Sequence, residues 1–219
     1  MLTKFENKLN EINEMMVSIG NKIIAANEVI LEGLKKRDYS GFNDARISLI
    51  NVREDTHAID MRIVSTLALF APEASDLKNM VAYLKITNEY IRAASNTRSF
   101  LKNFPIKTDG ELHLDKLMPN IILLQTSSVQ ALKYAVEMII EGDANIVKDL
   151  CVKVNIEEAK ADDIYSIIEK DLFVEMLNAK ELSAEYFQTL SLVRKLEKIT
   201  DRATSIANLQ YNGCNENNW

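Results

Sequence analysis

The chain has 219 residues, of which 47% are hydrophobic and 26% charged, and it contains only six glycines and three prolines. So few turn-forming residues exclude a β-sandwich or a β-barrel, because such folds need many tight turns. A formal net charge of −6 at pH 7 argues against broad nucleic-acid binding, which depends on dense positive charge. No apolar run reaches the roughly 18 residues of a membrane span, and the first residues lack the apolar core of a signal peptide. We therefore expect a cytoplasmic protein that does not insert into a membrane.

Apolar residues near the start of the chain predict a long first helix, because they recur at alternating spacings of four and three. A seam of this kind requires a neighbouring helix with similar spacing. Asp-Tyr-Ser-Gly at residues 38–41 interrupts the pattern, and a second helix is expected over residues 42–70. The seam comprises Phe5, Leu9, Ile12, Met16, Ile19, Ile23, Ala26 and Ile30.

The third helix is expected to begin at Pro72 and Glu73, because proline suits the first helical position and glutamate favours the positive end of the helix. Asn-Phe-Pro at residues 103–105 and Thr-Asp-Gly at residues 108–110 then form the clearest linker in the chain. One face of the third helix is predicted to carry Leu77, Met80, Val81, Leu84 and Ile91.

The second half of the chain repeats this plan. After a fourth helix, Gly142 and Asp143 form a turn with a capping residue, and a fifth helix is expected over residues 144–177. Ser183 is predicted to cap a sixth helix, and residues 211–219, rich in asparagine, are expected to fray. The apolar seam of the fourth helix comprises Leu117, Ile121, Leu124, Ser128, Ala131, Ala135 and Met138, and that of the sixth Leu192, Val193, Leu196 and Ile199.

Two halves of three long helices each indicate an internal duplication. Asp60 and Asp162 occupy corresponding places, at an offset of 162 − 60 = 102 residues. The predicted fold is all-α, with six long helices in two tandem three-helix bundles that pack end to end or side by side. We expect the first repeat over residues 1–106, the second over residues 111–212 and a flexible tail over residues 213–219.

Residue types that catalyse reactions are scarce. The histidines are His57 and His113, and the sequence has neither a Gly-x-Ser-x-Gly elbow nor a glycine-rich phosphate loop. Cys151 and Cys214 form no Cys-x-x-Cys motif, so we expect inert thiols rather than a zinc site. Glu54 and His57 have the spacing of a ferritin-like ligand pair, but the pair occurs once where that class needs two. A ferritin-like oxidase is therefore disfavoured.

Carboxylates give the stronger chemical signal. Glu158 and Asp162 are one helical turn apart, and so are Glu197 and Asp201, so each pair shares one face of its helix. If the two faces meet, four carboxylates converge, as a hard cation or a di-iron centre requires. The alternative is a solvated acidic face, because several pairs at this spacing arise by chance among 32 acidic residues.

Two short motifs, Ala-Pro-Glu-Ala-Ser-Asp-Leu-Lys at residues 71–78 and Leu-Glu-Lys-Ile-Thr-Asp-Arg-Ala at residues 196–203, resemble those of the PhoU family of phosphate-uptake regulators. Ala-Pro-Glu-Ala-Ser-Asp-Leu-Lys at residues 71–78 is similar to the Pro-x-Ala-x-Asp-Leu-Arg segment that opens the third helix in that family. Leu-Lys-Ile-Thr at residues 84–87, followed by Glu89, resembles the start of its Glu-Arg-Ile-Gly-Asp-His-Ala motif. The second copy of that motif reads Leu-Glu-Lys-Ile-Thr-Asp-Arg-Ala at residues 196–203. The resemblance covers essentially the whole chain.

The resemblance implies a non-enzymatic regulator that contacts the ATPase of the phosphate ABC transporter and a sensor histidine kinase, and it implies a homodimer. Some members of the family bind iron or zinc through Glu/Asp-x-x-x-Asp motifs, so Glu158, Asp162, Glu197 and Asp201 are the implied ligands. Other divalent cations are alternatives to iron and zinc at these ligands, and the fold does not require a cofactor.

The first repeat departs from this pattern. Only Asp60 and Glu89 remain of its expected quartet, because Thr56 and Ala93 occupy the other two positions. Arg92 adds a positive charge beside Glu89. We therefore expect any bound metal in the second repeat only.

Three functions follow from these patterns. The first is a negative regulator of phosphate uptake and phosphate-starvation signalling, similar to PhoU and acting by protein contact. The second is a helical adaptor of the same fold that serves another transporter or kinase. The third is a carboxylate-bridged metal-dependent enzyme, which ranks last because the sequence places no base, nucleophile and oxyanion donor together.

Overall fold

The computed structural model describes residues 2–70, 72–108 and 114–214, and these residues form seven α-helices and no strand. The all-α prediction is therefore confirmed. A short 3-10 turn at Lys180–Leu182 joins the last two helices. The helices are α1 (Leu2–Lys36), α2 (Phe42–Ser48), α3 (Val52–Phe70), α4 (Ala74–Thr108), α5 (Met118–Glu137), α6 (Ala144–Asn178) and α7 (Ser183–Cys214).

The helices form two bundles that lie side by side. Helices α1 to α4 make the first bundle, and α5, α6 and α7 make the second. The bundles meet along two helix pairs, because α4 packs along α7 and α1 packs along α5. Their buried side chains form one continuous apolar core. The side-by-side alternative is thus the one that the chain adopts.

The alternating seams of the first and fourth predicted helices are confirmed as core faces. In α1, Ile12, Met16, Ile23 and Ile30 are fully buried. All seven seam residues predicted for the fourth helix are buried as well. Helix α1 ends where Arg37 adopts a left-handed conformation, with a φ of 55°.

The turn before α6 also has the predicted chemistry. The carboxylate of Asp143 accepts hydrogen bonds from the backbone N–H groups of Asn145 (2.8 Å) and Ile146 (3.4 Å). Asp143 thereby satisfies two of the N–H groups that a helix start leaves without partners.

The second predicted helix is wrong in one respect, because residues 49–51 divide it into α2 and α3. The backbone tightens there: Ile50 N–H donates to the Ile47 carbonyl (3.0 Å) and Val52 N–H to the Leu49 carbonyl (3.5 Å). This turn brings Leu49 and Val52 into the core, where they are 1% and 2% exposed. The free energy gained by burying these two side chains exceeds the cost of interrupting the helix.

The predicted start of the linker at residue 103 is wrong, because α4 continues through Pro105 to Thr108. Proline normally ends a helix. Here aromatic packing holds this end of α4: Phe104 stacks on Phe100 at a centroid distance of 4.6 Å and meets Tyr39 edge-on at 5.7 Å. Residues 109–113, which include the rest of the predicted linker and His113, lie outside the described residues. The predicted boundaries of the repeats stay a prediction.

The predicted apolar face of the third helix is only partly correct. Met80 is buried, but Leu77 and Val81 are 44% and 41% exposed, because α4 instead turns Tyr83 and Tyr90 towards the core. The predicted start of this helix is also too early. Pro72 and Glu73 precede α4, which begins at Ala74.

The last helix differs from expectation at both ends. Ser183 does not accept a hydrogen bond as a cap, because the 3-10 turn runs directly into α7 and the Ser183 hydroxyl donates to the Lys180 carbonyl (2.8 Å). Residues 211–214 are helical rather than frayed. The rest of the predicted tail, residues 215–219, lies outside the described residues.

Buried polar side chains connect the two bundles. The amide of Asn27 in α1 donates to the Thr97 hydroxyl in α4 (3.0 Å). The amide of Gln125 in α5 donates to the backbone carbonyl of Asn27 (2.8 Å) and to its side-chain oxygen (3.1 Å). Since all three side chains are fully buried, these bonds fix the register of the bundles.

Candidate functional site

Three carboxylates meet where α6 packs against α7. Glu158 and Asp162 of α6 and Asp201 of α7 each offer one oxygen, and these oxygens all lie within 4.8 Å of one another. Within the part of the chain that the structure describes, this is the one group of three potential metal ligands. We call these three residues the carboxylate cluster.

Small buried residues lie close in sequence to the cluster residues on both helices. Ala161 of α6 and Ala203 of α7 are fully buried in the core, next in sequence or near to the acidic residues. Small side chains allow two helices to approach closely. The packing of α6 against α7 brings the acidic residues of the two helices together.

Glu197, the fourth predicted ligand, is not part of the cluster. Its side chain is only 11% exposed, and one of its oxygens accepts a hydrogen bond from Lys198 (3.0 Å). The other oxygen is buried and has no hydrogen-bond partner among the described residues. The structure thus brings three of the four predicted ligands together and directs Glu197 to a lysine.

Lys198 supplies a positive charge inside this acidic region. Its ammonium lies 2.7 Å from Asp201 and 3.0 Å from Glu197. Burial lowers the pKa of Lys198, but its hydrogen bonds to Asp201 and Glu197 outweigh burial, and the pKa is raised. The spacing of Lys198, adjacent to Glu197 and three residues before Asp201, is the sequence signal from which this contact could have been predicted.

Burial and neighbouring charges perturb two of the carboxyl groups. Burial raises the pKa of Glu158, and the charges of Asp162 and Asp201 raise it further. Burial also raises the pKa of Glu197, an effect that the Lys198 hydrogen bond opposes and Asp201 reinforces. Both shifts mean that the ionised form of each carboxyl group is less stable in the protein than in water.

Arg202 extends the charged network from α7 to α4. Its guanidinium donates to Glu89 of α4 (3.0 Å) and lies 3.5 Å from Asp201. Glu89 also pairs with Arg92 (3.4 Å). The first-repeat residue Glu89 is therefore held beside the second-repeat cluster by a residue that the sequence analysis did not identify as part of the site.

The two remaining acidic residues of the first repeat have different partners. Asp60 accepts a hydrogen bond from the Thr87 hydroxyl (2.9 Å), whereas Glu89 pairs with arginines. Thr56 and Ala93, which occupy the other two positions of the quartet, are 1% and 0% exposed in the core. His57 is exposed on α3.

The donor set of the carboxylate cluster fits a hard cation. All three side chains offer oxygen, which suits magnesium, manganese, calcium or ferric iron, whereas zinc favours nitrogen and sulfur. Cys151, the free cysteine described in α6, is buried, and burial raises its pKa, as expected of an inert thiol.

Comparison with known proteins finds relatives that match nearly the whole chain. The family model described as PhoU domain matches residues 121–209, a segment of the second repeat that contains all four of its predicted ligands. A phosphate-specific transport system accessory protein PhoU homolog from Xylella fastidiosa (strain 9a5c) is 24% identical over 214 residues, covering 94% of this chain and 85% of that protein.

Solved structures share the fold over nearly the whole chain. The crystal structure of PhoU from Pseudomonas aeruginosa has a TM-score of 0.84 at 19% identity and covers 94% of this chain and 96% of that one. The phosphate transport system regulatory protein PhoU from Streptococcus pneumoniae has a TM-score of 0.77 at 15% identity, with 94% of each chain covered. The PhoU domain match, the relatives matched over most of their length and the shared fold all support the PhoU family.

Proposed function

We propose that this protein regulates phosphate transport and phosphate-starvation signalling by contact with the ATPase of the phosphate ABC transporter and with a sensor histidine kinase. The observation that carries this proposal is its similarity, over 94% of its length, to a phosphate-specific transport system accessory protein. A helical fold with short connections supports action through a helix face or groove. The proposal includes a cytoplasmic location, because the ATPase subunits of such transporters work there. None of the helices described is both long and apolar enough to cross a bilayer.

A groove between α1 and α3 offers a surface for such a contact. It has a volume of about 410 Å³, and its floor includes Met15, Ile19 and Ile59. Its charged residues are three acids and two bases, namely Glu11, Glu14, Asp55, Lys22 and Arg62. An apolar floor with a slightly acidic rim suits an amphipathic helix that carries basic residues.

A pull-down of the transporter ATPase with the full chain tests the proposal. We expect Glu14→Lys, a charge reversal at an exposed position of the groove, to reduce the ATPase recovered. The matched control is Glu137→Lys, the same reversal at an exposed position of α5. Recovery should also fall as the salt concentration rises, because salt screens charge attraction.

The outcomes separate the proposal from its alternative. Loss with Glu14→Lys and full recovery with Glu137→Lys support regulation through this groove. Recovery of another transporter's ATPase or another kinase in place of the phosphate system favours a helical adaptor of the same fold.

We further propose that the carboxylate cluster binds a metal ion, iron in preference to zinc, with other divalent cations as alternatives. The support is the convergence of Glu158, Asp162 and Asp201, together with the raised pKa of Glu158, which a bound cation would lower. In this proposal, Glu197 binds the ion only when its hydrogen bond to Lys198 is broken. Because the cluster bridges α6 and α7, a bound ion stabilises the second bundle rather than performing catalysis.

A homodimer is the third part of the proposal. Exposed apolar side chains lie on the neighbouring helices α3 and α4, where Met61 and Val64 are 54% and 51% exposed and Leu77 and Val81 are 44% and 41% exposed. Large exposed apolar surfaces favour protein association. Light scattering at increasing protein concentration tests this, and a monomer at every concentration argues against it.

A further inference from the structure

A second cavity lies on the other side of the charged network, between α4 and α7. It has a volume of about 240 Å³ and is lined by Arg92, Ser95, Asn96, Lys198 and Arg202. Three of these five lining residues are basic, and the other two are neutral and polar. Each of the three basic side chains is paired with a carboxylate, so the cavity offers N–H donors from paired cations rather than an excess of positive charge.

Carboxylates pair with all three basic side chains that line the cavity. Glu89 pairs with both Arg92 and Arg202, and Asp201 pairs with Lys198 and lies near Arg202. Arginine has five N–H donors and lysine has three, so these contacts leave donors that can face the cavity. Because these contacts already restrict the side chains, little further conformational entropy is lost when an anion binds.

An adjoining cavity extends the positive surface. Ser95 also lines a cavity of about 90 Å³ that contains Arg53 and Arg98 beside the apolar residues Leu49 and Ile91. The Nε atom of Arg98 is buried and has no hydrogen-bond partner among the described residues.

We propose that the cavity between α4 and α7 binds a phosphate-class oxyanion, either free orthophosphate or the phosphoryl group of a small phosphate monoester. Arg92, Lys198 and Arg202 supply the positive charge, and Arg guanidinium groups match two phosphate oxygens at a time. The apolar part of the adjoining cavity would receive the organic part of a monoester.

The neutral lining residues favour phosphate over sulfate. Near neutral pH orthophosphate still carries a proton, whereas sulfate carries none and a phosphate monoester, with a second pKa of about 6, is mostly unprotonated, so this preference applies to free orthophosphate. The Ser95 hydroxyl and the Asn96 side-chain oxygen can accept hydrogen bonds from that proton. Sulfate offers no donor to these acceptors, so it should bind more weakly at the same charge.

The proposal deepens the proposed regulatory function by naming a ligand, but it rests on the cavity and not on partner contacts or bound metal. Orthophosphate binding is therefore measured by calorimetry on the full chain, freed of divalent cations on a chelating resin, at constant ionic strength. Sulfate and adenosine monophosphate are titrated in parallel. The pull-down of the ATPase can fail while this titration succeeds, and the reverse also holds.

The key variant is Arg92→Gln, because the Arg92 side chain is 63% exposed and its loss leaves the core intact. The matched control is Arg62→Gln on α3, which removes the same charge from an arginine that also pairs with a glutamate, Glu11. We expect orthophosphate to bind saturably, with a Kd below about 10 mM. Arg92→Gln should weaken it about tenfold, the factor for one charge-assisted hydrogen bond, and Arg62→Gln should leave it unchanged.

The remaining outcomes are equally decisive. Tighter binding of adenosine monophosphate than of orthophosphate supports the cavity and identifies a phosphate monoester as the ligand, whereas the opposite order identifies free phosphate. No saturation by either ligand overturns the proposal. Equal weakening of binding in both variants also overturns it, because that result indicates general charge attraction. Sulfate binding as tight as phosphate binding overturns it as well. Thermal unfolding of each variant confirms that it is folded.

Discussion

The ammonium of Lys198 lies 2.7 Å from a carboxylate oxygen of Asp201, at the edge of the cluster in which a metal ion is proposed. In the absence of a metal, this lysine offsets part of the repulsion among the acidic side chains. A metal ion that binds Asp201 must therefore compete with a cation that belongs to the chain itself.

The first prediction concerns the asymmetry between the two repeats. Asp201→Asn should abolish metal binding, because it removes the ligand that α7 contributes to the carboxylate cluster. Asp60→Asn is the matched control, and metal content should be unchanged because Asp60 contacts Thr87 instead. Inductively coupled plasma mass spectrometry after reconstitution measures both. Equal loss in the two variants contradicts the asymmetry, and no metal in the unmodified protein indicates a solvated acidic face.

The second prediction follows from the competition between Lys198 and a metal ion. Lys198→Met should tighten metal binding about fivefold, since a partly exposed ion pair contributes about 1 kcal/mol. The same change should lower the stability of the metal-free protein, because Glu197 and Asp201 lose their counter-charge. Lys160→Met, which removes a lysine paired with Glu157 on α6, is the control. Metal titration measures the affinity, and urea unfolding measures the stability of the metal-free protein. A metal affinity that Lys198→Met leaves unchanged contradicts competition between Lys198 and the metal ion.

The third prediction is a pH dependence caused by Glu158. Because its pKa in the folded protein lies above the ordinary value of 4.5, the folded state keeps a proton that the unfolded state releases as the pH rises. The contribution of Glu158 to the stability of the metal-free protein should therefore fall as the pH rises from 4.5 through the raised pKa. Glu158→Gln should remove this loss and increase stability at pH 7 by at most about 1 kcal/mol, after solvent screening is allowed for.

The control for this pH effect is Glu157→Gln. Glu157 precedes Glu158 but pairs with Lys160 (2.8 Å) and lies outside the carboxylate cluster. It should produce no gain in stability at pH 7. Urea unfolding of the three proteins at several pH values decides the matter, and a gain of the same size in both variants would argue against a specific role for Glu158.

The fourth prediction concerns the contact between the bundles at Gly20. A Cβ atom at this position of α1 would lie 2.5 Å from Val136 Cγ2 of α5 and 2.9 Å from the Tyr90 hydroxyl of α4. Gly20→Ala should therefore destabilise the protein by about 1–3 kcal/mol, the usual cost of overpacking. Gly142→Ala is the control, because a Cβ atom there would have no neighbour within 4 Å, and its effect should stay within about 0.5 kcal/mol. Equal urea midpoints for the two variants contradict close packing at Gly20.

Local periodicity determined much of what was predicted. The seams of α1 and α5 are readable because a helix repeats every 3.6 residues, so residues such as Met16 and Leu124 are identified as buried without knowledge of their partners. The pairing of Glu158 with Asp162 on one helix face follows from the same rule. Asp143 as a cap is also a local property, since its hydrogen bonds reach only two and three residues ahead.

Contacts between distant segments decided the rest. The sequence by itself established two repeats of long helices and acidic pairs on their faces, but it left open whether the bundles stack or lie side by side. Tertiary packing of α4 on α7 placed Arg202 against Glu89, residues 113 positions apart, and so created the charged network and the basic cavity. Packing also overrode local signals, when Phe104 kept Pro105 inside a helix and Leu49 divided another. Burial of side chains against distant partners outweighs the small local preferences that a sequence pattern reports.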